Sequence, residues 1–258
     1  MPRQPRKIGN TKIYHCILRG INKQDIFLDN QDFLKFKKEI ITTKEKFSYK
    51  LYSYVLMSNH IHLQIKDDCD NLSKIMQSLQ IRYADYFNKK YDRVGHLFQD
   101  KFKSQCVETD YYILNLQRYI HQNPIKAGIG TIEEYLWSSY REYIGKNREQ
   151  LIDKEDIFKL FSMSDTKAIK KFIEFNNEIL SLSKSDEILE YEIRKSFNDD
   201  EVINLIKKEL KINNIQEIQN YDKNKRNYYL KMAKEIKGCT QKQLSRILGI
   251  NIRIIQRV

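Results

Sequence analysis

The apolar positions change period along the chain, and the changes divide it. Residues 12–19 (KIYHCILR) are β-branched and aromatic, which suits a strand. Within 30–46, Phe33, Phe36 and Ile40 recur at spacings of three and four, the period of an amphipathic helix, with Asp32 near its start. Residues 51–57 and 61–65 read as two more strands joined by a tight turn at Ser58, Asn59 and His60. Ile75, Leu79, Tyr83 and Tyr86 line one face of a second helix that runs to about Tyr91, with Asn71 placed to cap it. A fourth strand follows at 102–107. Ile113, Leu116 and Ile120 then mark a third helix, with Asp110 at its cap position and Pro124 beyond its end. The order β-α-β-β-α-β-α predicts an α+β fold on the split β-α-β, ferredoxin-like plan. Its antiparallel sheet carries helices on one face and leaves the other open to a ligand.

After Ile144 the texture is all helical. Residues 151–222 lack Pro and suit helices over 151–161 and 169–182, with one or two more over 188–212. From Tyr228 the chain turns basic. An apolar helix ends near Leu248, Gly249 follows, and a short helix runs to Val258, the texture of a helix-turn-helix. The expected organisation is a sheet domain over 1–145, an acidic helical linker over 146–222 and a basic helix-turn-helix over 223–258.

Composition narrows the classes. The 258 residues are 41% hydrophobic with only 3 Pro and 8 Gly, too apolar for a disordered chain and ample for a buried core. No apolar run approaches the ~18 residues of a membrane span, so no membrane partner is expected. The opening MPRQPRKIGN lacks the apolar core of a signal peptide. Cys16, Cys69, Cys106 and Cys239 lie far apart without a CxxC pair, which argues against a disulfide framework and a structural zinc and suits a reducing cytoplasm. The net charge of +12 is uneven. Residues 1–150 hold 25 basic and 17 acidic side chains, 151–222 hold 11 and 16, and 223–258 hold 10 and 1. Two basic ends around an acidic middle suit two polyanion-binding surfaces, although a merely lysine-rich surface has the same count.

The chemistry concentrates in SNHIHLQI (58–65). Strand alternation points His60, His62 and Gln64 to one side and Ile61, Leu63 and Ile65 to the other. Two imidazoles about 7 Å apart on one face reach a single metal ion, and equally suit an exposed strand face with no metal. A third ligand is needed, and QRYIHQNPIKAG (117–128) offers Asn123, whose carbonyl suits a hard divalent cation. Tyr119 sits one helical turn away, where its hydroxyl is placed to attack a metal-polarised phosphate. Ordinary packing is the plainer role for any one of the 17 tyrosines. His121, two residues on, points elsewhere on the helix.

These segments carry a resemblance. YSYVLM (52–57), SNHIHL, GHLFQDKFKS (95–104), RYIHQNPIKAG (118–128) and YLWSSYREY (135–143) occur in the order found in the transposase family with a single catalytic tyrosine and a His-hydrophobic-His (HUH) motif. The chain most resembles the branch of REP-associated tyrosine transposases, over roughly residues 1–145. The resemblance implies a ferredoxin-like enzyme that cleaves and rejoins single-stranded DNA beside hairpins with no nucleotide cofactor. It makes Tyr119 the nucleophile that takes the 5′ phosphate and frees a 3′ hydroxyl, and His60 and His62 metal ligands for Mg²⁺ or Mn²⁺. Asn123 falls at the third-ligand position, which many members fill with Gln. Tyr111 and Tyr112 are left for packing or substrate contact.

Thr240 to Val258 resembles the DNA-binding domain of chromosomal replication initiators, which implies duplex DNA as a second partner. The expected protein is a monomer or homodimer, cytoplasmic and nucleoid-associated. The competing expectation is a non-catalytic DNA-binding or regulatory protein derived from a transposase. An RNA-binding module is a third reading, but the exposed sheet face carries HxH where that module needs aromatics.

Overall fold

The computed structural model describes residues 8–147, 150–178, 199–210, 212, 214–235, 239 and 241–258. It divides into two compact units, Met1–Ser185 and Asp186–Val258.

The first unit is built on strands β1 (Ile13–Arg19), β2 (Lys50–Leu56), β3 (His60–Lys66) and β4 (Lys103–Cys106), in the order β2-β3-β1-β4 with all pairs antiparallel. Helices α1 (Asn30–Phe47) and α2 (Leu72–Lys90) are the two crossovers. This is the ferredoxin-like α+β plan that the periodicity predicts. Cys16, Leu18, Tyr54, Leu56, Ile61, Leu63 and Ile65 form one buried sheet face, and α1 and α2, which pack on each other, add Phe36, Ile40, Ile75 and Leu79 to the core. Asp29 and Asp32 form a reciprocal capping box at the start of α1. The buried Asp32 carboxylate also accepts Lys90 Nζ at 2.8 Å and the Tyr91 hydroxyl at 2.7 Å, which ties the end of α2 to the start of α1.

Two caps differ from expectation. Asn71 precedes α2 but makes no side-chain cap bond, because its backbone (φ −96°, ψ 5°) is not extended. Thr109, not Asp110, caps α3 (Asp110–His121). Its extended backbone lets the side-chain oxygen accept the Tyr112 N–H at 3.1 Å.

The second face of the sheet is not left open along its whole length. The crossover helices keep to one side, but α3 lies across the other. Gln64 accepts from Ser53 Oγ at 2.9 Å and donates to the Ile113 carbonyl of α3 at 3.1 Å. The physical reason is the inward face of α3, where Ile113, Leu116 and Gln117 are buried and need a partner surface. A register shift between Leu51 and Ser53 adds one residue to β2. The Tyr52 carbonyl at this irregularity accepts the Tyr143 hydroxyl at 2.7 Å and Gln117 Nε2 at 3.4 Å.

Short helices α4 (Asn123–Lys126) and α5 (Tyr140–Tyr143) follow, then α6 (Glu155–Phe161) and α7 (Asp165–Asn177). The last two belong to this unit. Lys44 pairs with Asp153 at 2.6 Å, and Phe172 of α7 stacks on Tyr143 at 4.3 Å between ring centres. Residues 179–182 of the expected 169–182 helix, and the start of the one or two helices expected over 188–212, lie outside the described residues.

The second unit contains α8 (Asp199–Leu210), a 3₁₀ turn (Ile215–Asn220), α9 (Lys223–Glu235), α10 (Gln241–Leu248) and α11 (Ile252–Arg257). Val202, Ile206, Ile218, Leu230, Ala233, Leu244, Leu248 and Ile255 make one core. Gly249 ends α10 at φ +63°, and a side chain there would also strike Gln219, whose Nε2 donates to the Leu248 carbonyl at 2.6 Å. The acidic stretch is thus shared: 150–178 packs with the sheet and 199–222 with the basic tail. Among the described residues no helix is long and apolar enough to cross a membrane.

Candidate active site

The antiparallel register of β1 and β3 sets the site. It pairs Arg19 with His60, Ile17 with His62 and His15 with Gln64. Partners in a ladder share a face, so His15 and Arg19 join His60, His62 and Gln64 on the side crossed by α3. The strand begins at His60, one residue earlier than the periodicity suggests, so this histidine pairs with β1 and is not part of the turn.

Three of the sequence-predicted residues, His60, His62 and Tyr119, meet there. The His60 and His62 rings are 5.1 Å apart and nearly perpendicular, at 87°. The Tyr119 ring, projecting from α3, stands edge-on to His62 at 5.6 Å and to His15 at 6.1 Å. Lys126 Nζ lies 4.2 Å from the Tyr119 ring centre. Asn123 is buried just past the end of α3, and its Nδ2 donates to the Tyr119 carbonyl at 2.9 Å. Its side-chain carbonyl oxygen is the atom left for a ligand role.

Protonation follows from the contacts. His60 Nδ1 is 2.6 Å from Asn59 Oδ1, an oxygen that only accepts, so Nδ1 carries the proton and Nε2 is the basic nitrogen. His62 is fully buried. Burial, with the electrostatic influence of His60, Arg19 and Lys126 beside it, holds its pKa well below the usual imidazole range, so the ring is neutral. A neutral imidazole is the form that binds a metal. The two imidazoles and an amide oxygen are a donor set that fits Mn²⁺ or Mg²⁺. Among the described residues, no three His, Cys, Asp or Glu side chains gather as a metal cluster.

His121 points away, as its place on the helix predicts. It is fully buried, with Nδ1 2.8 Å from Asn176 Oδ1 and Nε2 2.8 Å from Ser139 Oγ. Burial lowers its pKa to about 4, so it is a neutral structural group. Tyr111 is exposed, whereas burial pushes the Tyr112 hydroxyl up to about 12.

The sequence reading missed His15, Arg19 and Lys126. Alternation along β1 puts His15 and Arg19 on one face, but only the pairing with β3 shows which face that is. It also missed the brace behind α3. Arg118 donates to the Phe175 carbonyl at 3.2 Å and to Glu178 at 2.9 Å, and Gln122 donates to the carbonyls of Asn176 and Glu178, both at 2.8 Å. The end of α7 therefore holds the helix that carries Tyr119.

Residues 10–123 match the family model described as Transposase IS200 like. A solved structure of a REP-associated tyrosine transposase bound to a REP hairpin is similar in fold. It matches at TM-score 0.50 and 14% identity, over 58% of this chain and 90% of that one. No curated protein matches the chain.

Proposed function

We propose that the first unit cleaves and rejoins single-stranded DNA beside hairpins through a 5′-phosphotyrosine on Tyr119, with His60, His62 and Asn123 holding Mg²⁺ or Mn²⁺. The observation that carries this reading is the Tyr119 ring held 5.6 Å from a buried, neutral His62 that itself faces His60. The ion, when bound, supplies charge neutralisation on the phosphate oxygens. Tyr119 supplies the nucleophile: its oxygen bonds to phosphorus, the bond to the 3′ oxygen breaks, and that oxygen leaves as a hydroxyl. Reversal, with a 3′ hydroxyl attacking the phosphotyrosine, rejoins strands. Tyr119 is only 2% exposed, and Lys126 Nζ beside its ring puts a positive charge next to the nucleophile. The hairpin named for the similar structure fits the same reading.

The test is the full-length protein with labelled single-stranded hairpin oligonucleotides, read by denaturing electrophoresis. A covalent protein–DNA adduct is expected with Mg²⁺ or Mn²⁺ and none with EDTA. Absence of an adduct on every hairpin with either ion would favour the non-catalytic DNA-binding reading.

The second unit is proposed to bind duplex DNA as a helix-turn-helix formed by α10 and α11, acting from the nucleoid in the cytoplasm. Arg253, Gln256 and Arg257 of α11 and Lys231 of α9 are exposed. Because α8 shares a core with residues 223–258, deleting the tail would also unmake α8, and substitution is the cleaner probe. Changing Lys231, Arg253 and Arg257 together to Gln should weaken duplex binding and reduce the slope of log K against log salt by up to ~2.7, at ~0.9 for each phosphate that is no longer neutralised. Fluorescence anisotropy at several salt concentrations checks this. An unchanged slope would make the tail structural.

A further inference from the structure

His15 is buried beneath the site and is not one of the three side chains assigned to the ion. Its Nε2 lies 2.9 Å from His62 Nδ1, and the two rings stack at 5.1 Å with 22° between planes. One of these nitrogens must carry the proton and the other must accept it, and the choice decides the chemistry of His62. If His15 donates, the neutral His62 keeps its own proton on Nε2, and that nitrogen cannot bind a cation. If His62 donates from Nδ1, Nε2 presents a lone pair.

The register favours the second arrangement. Ile17 pairs directly with His62, so His15 lies two residues to one side along β1 and Arg19 two residues to the other. Nδ1 is turned to His15. The opposite end of the ring is turned away from His15, and the register sets the Arg19–His60 pair on that side. A lone pair toward cations is favourable, and an N–H toward them is not. Accepting one bond from His62 Nδ1–H therefore fits both the geometry and the local charge.

We infer that His15 is a positioning residue that accepts the His62 Nδ1 proton at its Nε2, locking the His62 ring and its tautomer so that Nε2 is the metal-binding atom. It does not touch the substrate or the ion. It acts through His62, as hydrogen-bond partners behind metal-bound histidines do elsewhere. This inference rests on the proposed metal role of His62, but the tautomer can be read without a metal.

The first measurement is therefore long-range ¹H–¹⁵N correlation of the histidine rings in the full-length, metal-free protein. The expected pattern for both His15 and His62 is the Nδ1–H tautomer, with Nε2 unprotonated. A His62 ring protonated on Nε2 overturns the inference whatever the metal does. The second measurement is Mn²⁺ binding by calorimetry. His15→Phe keeps a ring of similar size and removes the acceptor, and should weaken Mn²⁺ binding by about 10- to 100-fold. His15→Gln, whose Oε1 stands near the position of Nε2, should recover most of that loss. Equal affinity in His15→Phe and wild type overturns the inference, as does a loss that His15→Gln does not recover. If His62→Ala leaves wild-type Mn²⁺ affinity unchanged, the metal reading of the site has failed, and the ring correlation still decides the tautomer. Should His15→Phe not fold, that correlation in the wild type carries the test.

Discussion

Tyr119→Phe should abolish the covalent adduct while leaving the fold and DNA binding in place. The substitution removes one oxygen. The ring contacts with His62, His15 and Lys126 are made by the aromatic face and edge, which Phe retains. A phenol of ordinary pKa ~10 is a poor nucleophile at neutral pH, which is why its surroundings matter. Losing the nucleophile should cost about 10⁴-fold or more in cleavage rate, roughly 5 kcal/mol of barrier. The measurement is adduct formation and hairpin affinity side by side for wild type and variant. An adduct that persists in Tyr119→Phe would move the nucleophile elsewhere, with Tyr112 and Tyr111 next to test.

Phe172→Ala should be the most damaging single change outside the site. Phe172 is fully buried. It stacks on Tyr143 at 4.3 Å and Tyr140 at 5.9 Å and meets His121, Phe158 and Phe161 edge-on at 5.8–6.1 Å. Truncating a buried phenylalanine costs about 3–5 kcal/mol, through reduced burial and the cavity left behind. The cost should fall on the first unit, where Trp137, the only tryptophan in the chain, reports its unfolding. Urea titration followed by tryptophan fluorescence should show a lower midpoint with little change in slope. Adduct formation should fall as well, because α7 holds α3 through Arg118 and Gln122. A midpoint loss below ~1 kcal/mol would mean that α7 is not integral to the unit.

The role of Phe172 is not legible in the chain alone, and the reason is general. The acidic, helical texture of 151–178 reads as a spacer, because a helix shows its own apolar stripe but not the surface that the stripe will meet. Phe158, Phe161, Phe172 and Phe175 stand at helical spacings, yet nothing local says that their partners are Tyr140, Tyr143, His121 and Arg118.

The local pattern did determine much. Alternation in HIHLQI fixed which of those side chains share a face, because successive residues of a strand must point to opposite sides. The β-α-β-β-α-β order with two crossover helices leaves few ways to close an antiparallel sheet, and β2-β3-β1-β4 is one of them. Helix spacing set Tyr119 apart from His121, and the structure turns the one toward the histidines and the other into the core. Tertiary structure decided what depends on register and on residues far apart in the chain. It set His15 behind His62, turned Arg19 toward the site, laid α3 over the sheet face and placed Lys126 above Tyr119. A strand's sequence states which residues point together. Only pairing with its neighbour, set by burial summed over the whole sheet, states what they point at.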